Sequence, residues 1–334
     1  MGRCGPQSAV WDDAAVTDHR ERRMLLDTAA LYFRAFYGVP DTVHAPNGMP
    51  VNAVRGLLDI IARLVSEFEP TQLVACWDDD WRPQWRVDLI PSYKTHRVAQ
   101  ANGGSGGAAI EEVPDLLTPQ IAVIREVLGA LGVPVIGAAQ HEADDVIGTL
   151  ASLSPMPVDV VTGDRDLFQL VDDSSDVRVI YTGRGMSRLE ILTDDALVAK
   201  YGVTPAQYAD FAALRGDASD GLPGVAGVGE KTAVALLSTY GTLDGIVAAA
   251  ADAVSGMAPP VRARILAAAD YLAVAPRVVN VVRDLELPQF DARIRASTLE
   301  QAAELDRLSA YWGLGASMRR VREALGANPS RVLS

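Results

Sequence analysis

Apolar and polar positions change rhythm along this chain. Residues 24–27, 73–78, 133–136, 158–162 and 177–180 are short aliphatic or β-branched runs, the signature of buried strands. Between the first two, Val51, Val54, Leu57, Leu58, Ile61, Leu64, Val65 and Phe68 recur at three- and four-residue steps, which predicts a helix with one apolar stripe. Further helical stretches at about 116–131 and 143–152 continue the alternation. A β-α-β-α order predicts a Rossmann-like α/β core, a mostly parallel sheet with helices on both faces. From about 193 the strand signal fades and Ala-rich helical segments separated by Gly and Pro run to the end. The predicted organisation is a loose tail at 1–22, an α/β core at 23–192 and a helical region at 193–334, with residues 101–108, rich in Gly and Ser, as a flexible loop.

Acidic residues fall where such a fold would gather them. Asp27 and Asp78 end the first two predicted strands, and Asp164 and Asp166 follow the fourth. The carboxyl ends of parallel strands form one edge, where ligands bind. Glu142, Asp144 and Asp145 stand at the start of a predicted helix, and the i, i+3 spacing of Asp217 and Asp220 predicts one face of a helical turn. Taken singly, Asp27 or Asp78 is better read as a turn former or helix N-cap. Capping does not require five acidic sites at convergent positions. Like charges so gathered call for divalent cations, and oxygen-only ligands select Mg²⁺ or Mn²⁺ over Zn²⁺. Two such ions are the apparatus of in-line displacement at phosphorus.

At 334 residues, 49% apolar and 22% charged, the chain has the length of about two domains and ample material for a core. Cys4 and Cys76 have no metal-spaced partner, so a disulfide framework and a thiolate zinc site are both excluded, and the chain reads as cytoplasmic. The first twenty residues lack the pattern of a signal peptide, and no run of about 18 apolar residues predicts a membrane span.

The glycine-rich stretch at 221–233 superficially resembles a nucleotide loop, but Glu230 separates Gly229 from Lys231 and no strand precedes it. The reading that survives is a helix-hairpin-helix at about 204–240, whose backbone N–H groups and following helix N-terminus approach a phosphate, with Lys231 adding charge. A second basic stretch interleaves Trp81, Arg82, Trp85, Arg86, Tyr93, Lys94 and Arg97 just beyond Asp78, suiting a scissile phosphate and a stacked base. The formal net charge of −13 opposes a nucleic-acid partner only in bulk, because Arg82, Arg86, Lys94 and Arg97 against Asp88 leave this segment locally positive.

In order and spacing, these residues resemble the 5′ nuclease superfamily, specifically the flap endonuclease/5′-3′ exonuclease domain at the amino end of bacterial DNA polymerase I. The resemblance runs from Leu25-Leu26-Asp27 and Phe33-Arg34-Ala35-Phe36, through Trp77-Asp78, Trp85-Arg86 and Tyr93-Lys94-Thr95-His96-Arg97. It continues through Glu142-Ala143-Asp144-Asp145 and Gly163-Asp164-Arg165-Asp166 to Gly216-Asp217-Ala218-Ser219-Asp220 and the hairpin Gly227-Val228-Gly229-Glu230-Lys231-Thr232. Thr28 and Trp77 depart mildly from the common pattern, and residues 98–112 are an insertion.

The resemblance implies a PIN-like nuclease core and a metal-dependent phosphodiesterase that cuts DNA at 5′ flaps, nicks and single-stranded 5′ ends in replication and repair, with an RNA–DNA hybrid as a further substrate. It implies metal-site roles for Asp27, Asp78, Glu142, Asp144, Asp145, Asp164, Asp166, Asp217 and Asp220, holding two or three Mg²⁺ or Mn²⁺ ions. It gives Arg86 and Lys94 the scissile phosphate, places an arch at about 81–115, and leaves DNA contacts to Arg34, Tyr93, Arg97, Gly224, Gly227, Gly229, Lys231 and Thr232. Carbonyls of the hairpin are implied as holders of a K⁺ ion. The form implied is a stand-alone, monomeric nuclease. A PIN-type RNA nuclease would not need the hairpin, and a non-catalytic DNA-structure binder would not keep nine acids.

Overall fold

The computed structural model describes residues 21–98 and 111–326. Nearly all of the predicted tail, the Gly-rich 101–108 and the middle of the predicted arch lie outside the described residues. Strands β1 (Arg23–Asp27), β2 (Gln72–Cys76), β3 (Val135–Ile136), β4 (Val158–Thr162), β5 (Val177–Tyr181) and β6 (Glu190–Leu192) form one sheet in the order β3-β2-β1-β4-β5-β6. All neighbours are parallel except β6, which pairs antiparallel with β5. β6 escaped the sequence reading because three residues are too few to show a period.

Helices α1 (Thr28–Gly38), α2 (Asn52–Phe68), α3 (Gln84–Leu89), α4 (Thr118–Ala130) and α5 (Ala143–Ser152) alternate with the first strands. After the sheet come α6 (Asp194–Tyr201), α7 (Pro205–Arg215), α8 (Glu230–Tyr240), α9 (Leu243–Ala251), α10 (Pro259–Ala267), α11 (Ala269–Val279), α12 (Leu299–Trp312) and α13 (Gly315–Gly326). The two-residue period of the strands explains the layering. Met24, Leu26, Ala75, Val161 and Ile180 enter one core with α1, α2 and α4, whereas Leu25, Val74, Val160 and Val179 enter the other with α5 and α7.

The helices after residue 193 do not make a single body. α6 to α11 extend the second core, but α12 and α13 return to the opposite layer, where Leu305, Leu308, Met318 and Val321 join the core of α2. Among the described residues no single helix is long and apolar enough to cross a membrane.

The strand ends place the chemistry. β1 passes into α1 without a loop, so Asp27 is at once the last strand residue and the helix cap. β2 stops at Cys76, and Asp78 lies two residues beyond the strand instead of ending it. Its side chain accepts the Ala143 N–H at 2.8 Å, drawing the backbone toward the start of α5.

Candidate active site

A crevice of about 280 Å³ opens at the carboxyl ends of β1, β2 and β4, lined by Asp27, Asp78, Glu142, Asp144 and Asp164 together with Lys94, Arg97, Arg34 and Trp81. A larger cavity of about 850 Å³ lies at the opposite ends of the strands, beside Arg23, Leu150 and Phe290, and gathers no comparable set of charges.

Each carboxylate is held by local structure. Asp27 is 6% exposed; one oxygen caps α1 through the Ala30 N–H at 3.2 Å and the other accepts from the Thr162 hydroxyl at 2.7 Å. Burial pushes its carboxyl up to about 7, against the Thr162 hydrogen bond and with help from Asp78 and Asp164. Burial also raises Asp78, Asp144 and Asp166, the last two reinforced by neighbouring aspartates. Capping and site geometry therefore coexist in the same side chains: Glu142 caps α5 in a capping box with Asp145.

Glu142 is the hub. Its Oε1 accepts from the Tyr93 hydroxyl at 2.8 Å, and its Oε2 accepts from Lys94. Burial works against a charge on Lys94, but the Glu142 carboxylate outweighs it and keeps the ammonium well above its usual pKa. Lys94 itself sits in the left-handed region at φ 47° and is fixed by its own N–H on the Asp220 carbonyl at 2.9 Å.

A second acidic group adjoins this one. The Asp166 N–H bonds Asp164 at 3.0 Å, and burial plus Asp164, Asp220 and Asp217 raise the Asp166 carboxyl. Asp220 is pushed to about 6 by burial, against Lys94. Arg97 reaches it at 3.1 Å, while Asp217 is held by Arg215 at 3.2 Å and Arg165 at 3.5 Å. The i, i+3 pair does not lie on a helical turn. Gly216 terminates α7, and Asp217 and Asp220 stand on a tight loop closed by a bridge between Asp217 and Leu222.

Three sequence expectations are corrected. Asp145, wholly buried, does not face the crevice; it takes both terminal nitrogens of Arg86 at 2.8 and 2.7 Å and the Val282 N–H at 2.9 Å. Arg86, 2% exposed, spends its Nε on the Val278 carbonyl, so its guanidinium is committed to the interior and has no face for a phosphate. Tyr93 is buried too, its hydroxyl on Glu142 and its ring under Lys94, and presents no face for a base. The predicted basic stretch is correspondingly less free, since Arg82 bonds the Tyr93 carbonyl and Thr95.

Arg34 reaches the crevice from α1, and its buried Nε has no hydrogen-bond partner among the described residues. Glu111 also lines the crevice and carries a carboxyl raised by burial and by Asp78. The sequence held no signal for Glu111, which lies near the end of the 98–112 insertion at no motif spacing.

The hairpin lies apart, between α7 and α8. Gly224, at φ 64°, closes it from inside: a Cβ there would lie 2.5 Å from the Gly216 nitrogen, so this glycine packs against α7 and is not an outward contact. Gly229 faces open space, and Lys231 and Thr232 occupy the first turn of α8, Lys231 exposed. As they stand among the described residues, no three of the carboxylates close on one point tightly enough to hold an ion.

Two family profiles match the chain, one described as "5'-3' exonuclease, N-terminal resolvase-like domain" over residues 22–202, the other as "5'-3' exonuclease, C-terminal SAM fold" over 203–302. A 5'-3' exonuclease of Streptomyces coelicolor is 56% identical over 304 residues, covering 91% of this chain and 100% of the relative. One of Mycobacterium tuberculosis is 47% identical, covering 93% of this chain and 99% of its own length. A solved structure of T5 5'-exonuclease with divalent zinc bound has a TM-score of 0.59 at 16% identity, covering 91% of this chain and 100% of that one, which is a likeness of fold. With both profiles joined end to end across the sheet and the hairpin, and relatives matched along their full lengths, this chain belongs to the 5′-3′ exonuclease family.

Proposed function

We propose that this 5′ nuclease hydrolyses DNA phosphodiesters at 5′ flaps, nicks and single-stranded 5′ ends in replication and repair, using two divalent cations, Mg²⁺ or Mn²⁺. The observation that carries this reading is the crevice in which Asp27, Asp78, Glu142, Asp144 and Asp164 converge beside Lys94 at the carboxyl ends of parallel strands. The donor set fits the group: it is all oxygen, as hard cations require. Raised carboxyls at Asp27, Asp144 and Asp166 mark a cluster of negative charge that the protein's own cations leave under-compensated.

Asp27, Asp78, Glu142, Asp144 and Asp164 would hold the cations at the crevice, with Asp166 and Asp220 as the adjoining group. Bound there, divalent cations supply an activated water and neutralise charge developing on the phosphate. Lys94, held charged between Glu142 and the crevice, is placed to stabilise that developing charge and so to favour the transition state over the bound substrate. Arg34 and Arg97 line the same opening and supply donors for the phosphate backbone, Arg34 with a buried nitrogen still unpaired. Asp145 and Arg86 are left out of this set, since they hold the floor beneath Glu142. The hairpin, with Gly229 open and Lys231 exposed, positions the duplex through backbone contacts that read no sequence.

Side-by-side digestion of a labelled 5′ flap, a nicked duplex, an RNA–DNA hybrid and a plain single strand tests the proposal, with and without Mg²⁺ or Mn²⁺. The expected result is cation-dependent cleavage that favours the flap and nick. Asp164→Asn is expected to abolish cleavage while binding weakens by no more than about tenfold, or 1.4 kcal/mol. Undiminished cleavage in excess chelator, or normal turnover by Asp164→Asn, overturns the metal assignment; preference for RNA overturns the substrate.

A further inference from the structure

Two segments far apart in sequence meet beside the crevice, and one of them carries Lys94. Residues 92–97 are tied to the loop 217–222, which leads from α7 into the hairpin. The Ser92 hydroxyl donates to the Gly221 carbonyl at 2.7 Å, and the Lys94 N–H donates to the Asp220 carbonyl at 2.9 Å. Arg97 closes the seam, with one terminal nitrogen on the Ser219 carbonyl at 2.9 Å and on the Asp220 carboxylate at 3.1 Å. Gly221 is the tightest point. At φ 69° it has room for no side chain, since a Cβ would lie 2.1 Å from the Ser92 carbonyl oxygen and 3.3 Å from the Lys94 nitrogen.

The loop is bound on its other side as well. Asp217 and Leu222 exchange both backbone hydrogen bonds, at 3.1 and 2.8 Å, and the Val225 N–H donates to the Leu214 carbonyl at 2.9 Å. Leu222, Val225 and Val228 are buried in one core with Leu214 of α7 and Ala233 of α8. The hairpin and Lys94 are thus joined through backbone, without a long side chain between them to absorb a displacement. Lys94 is a non-glycine residue in the left-handed region, a conformation that persists only where the surroundings impose it. The Asp220 carbonyl, by holding the Lys94 N–H, is one of the groups that do so.

We propose that the seam at Gly221 and Ser92 is a spacer of fixed length between the duplex-holding hairpin and Lys94, so that these two residues set where along the DNA the cut falls. The inference rests on reading the hairpin as the duplex-binding element and Lys94 as the cation at the scissile phosphate. Gly221 and Ser92 are positioning residues, acting through Lys94. Single-turnover digestion of a labelled 5′ flap by the full chain with Mg²⁺, its products resolved to one nucleotide, tests this beside titration of the same flap in chelator. Wild type is expected to cut at one dominant phosphodiester. Gly221→Ala is expected to spread the cut over neighbouring phosphodiesters and to slow it about tenfold or more, since a small displacement misaligns the cation. Its Kd is expected to stay within about twofold of wild type, because the hairpin's phosphate contacts are untouched. Ser92→Ala, at an exposed position, is expected to act in the same direction more weakly, and Ser92→Thr, which keeps the hydroxyl, to restore the wild-type cut. Thermal melts show whether Gly221→Ala is folded; if it is not, Ser92→Ala decides alone. A cut of unmoved position, slowed or not, overturns the proposal, because a merely structural role lowers the rate without shifting the site. Lys94→Ala and Lys231→Ala separate this failure from that of the parent reading. If Lys94→Ala slows the cut and Lys231→Ala weakens flap binding while the Gly221 and Ser92 variants cut as wild type does, only the spacer fails. If Lys94→Ala leaves the rate unchanged, or Lys231→Ala the affinity, the parent reading fails and the proposal with it.

Discussion

Asp144 and Asp145 are adjacent in sequence and opposite in environment. A helix turns about 100° per residue, so the first turn of α5 points Asp144 into the crevice and Asp145 down between α3 and residue 282, where Arg86 grips it with two hydrogen bonds. A charge pair buried this deeply adds little net stability compared with apolar packing, but removing one partner strands the other. Arg86→Met is therefore expected to cost about 3 to 5 kcal/mol of folding free energy, because it leaves the Asp145 carboxylate buried without its cation. Urea denaturation followed by circular dichroism measures this. A loss below about 1 kcal/mol would return Arg86 to the list of surface contacts.

At the scale of elements, two glycines of one hairpin carry different constraints. Gly224 combines φ 64° with backbone atoms of Gly216 and Arg215 at 2.5 to 2.6 Å from any added Cβ. Gly229 has extended backbone, ordinary for any residue, and nothing within 4 Å. Gly224→Ala is expected to destabilise the protein by about 2 to 4 kcal/mol through strain and displaced backbone. Gly229→Ala is expected to cost about 1 kcal/mol or less, as a weaker helix cap, yet to reduce duplex affinity by standing between the α8 N–H groups and a phosphate. Thermal unfolding and duplex titration of both variants check the contrast; equal destabilisation would remove the distinction drawn between a packing glycine and a contact glycine.

Over the whole molecule, the net charge of −13 is unevenly placed, and part of it is forced together at one sheet edge. The Asp27 carboxyl has an ordinary value of 3.8 and is raised to about 7 in the folded chain, so between those values the folded state keeps a proton that the unfolded state has lost. Its stabilising contribution is full below pH 3.8 and is lost as pH climbs to about 7; Asp220, raised to about 6, acts in the same direction. Divalent cations bind only the deprotonated carboxylates and offset the repulsion that remains. The rise in melting temperature on adding Mg²⁺ is accordingly expected to be larger at pH 8 than at pH 5, as measured by calorimetry at both pH values. Equal rises, or a larger one at pH 5, would contradict the assignment of these acids to a cation site.

From sequence alone, the periods of apolar residues determined the parallel sheet and the long helices, because burial on both faces demands continuous aliphatic strands and a stripe every 3.6 residues. Sequence also placed Asp27, Asp78 and Asp164 near strand ends, since that is a matter of local order along the chain. Tertiary structure alone decided which neighbours each charged side chain meets. Nothing in the local order distinguishes Arg86 from Lys94, yet one is sealed against Asp145 and the Val278 carbonyl while the other reaches the crevice through Glu142. Arg264 lies 37 residues from Gly227, outside every motif, and only the packing of α10 against the hairpin brings its guanidinium to the Gly227 carbonyl. Charge in a protein acts through distance and burial, and both are properties of the folded chain.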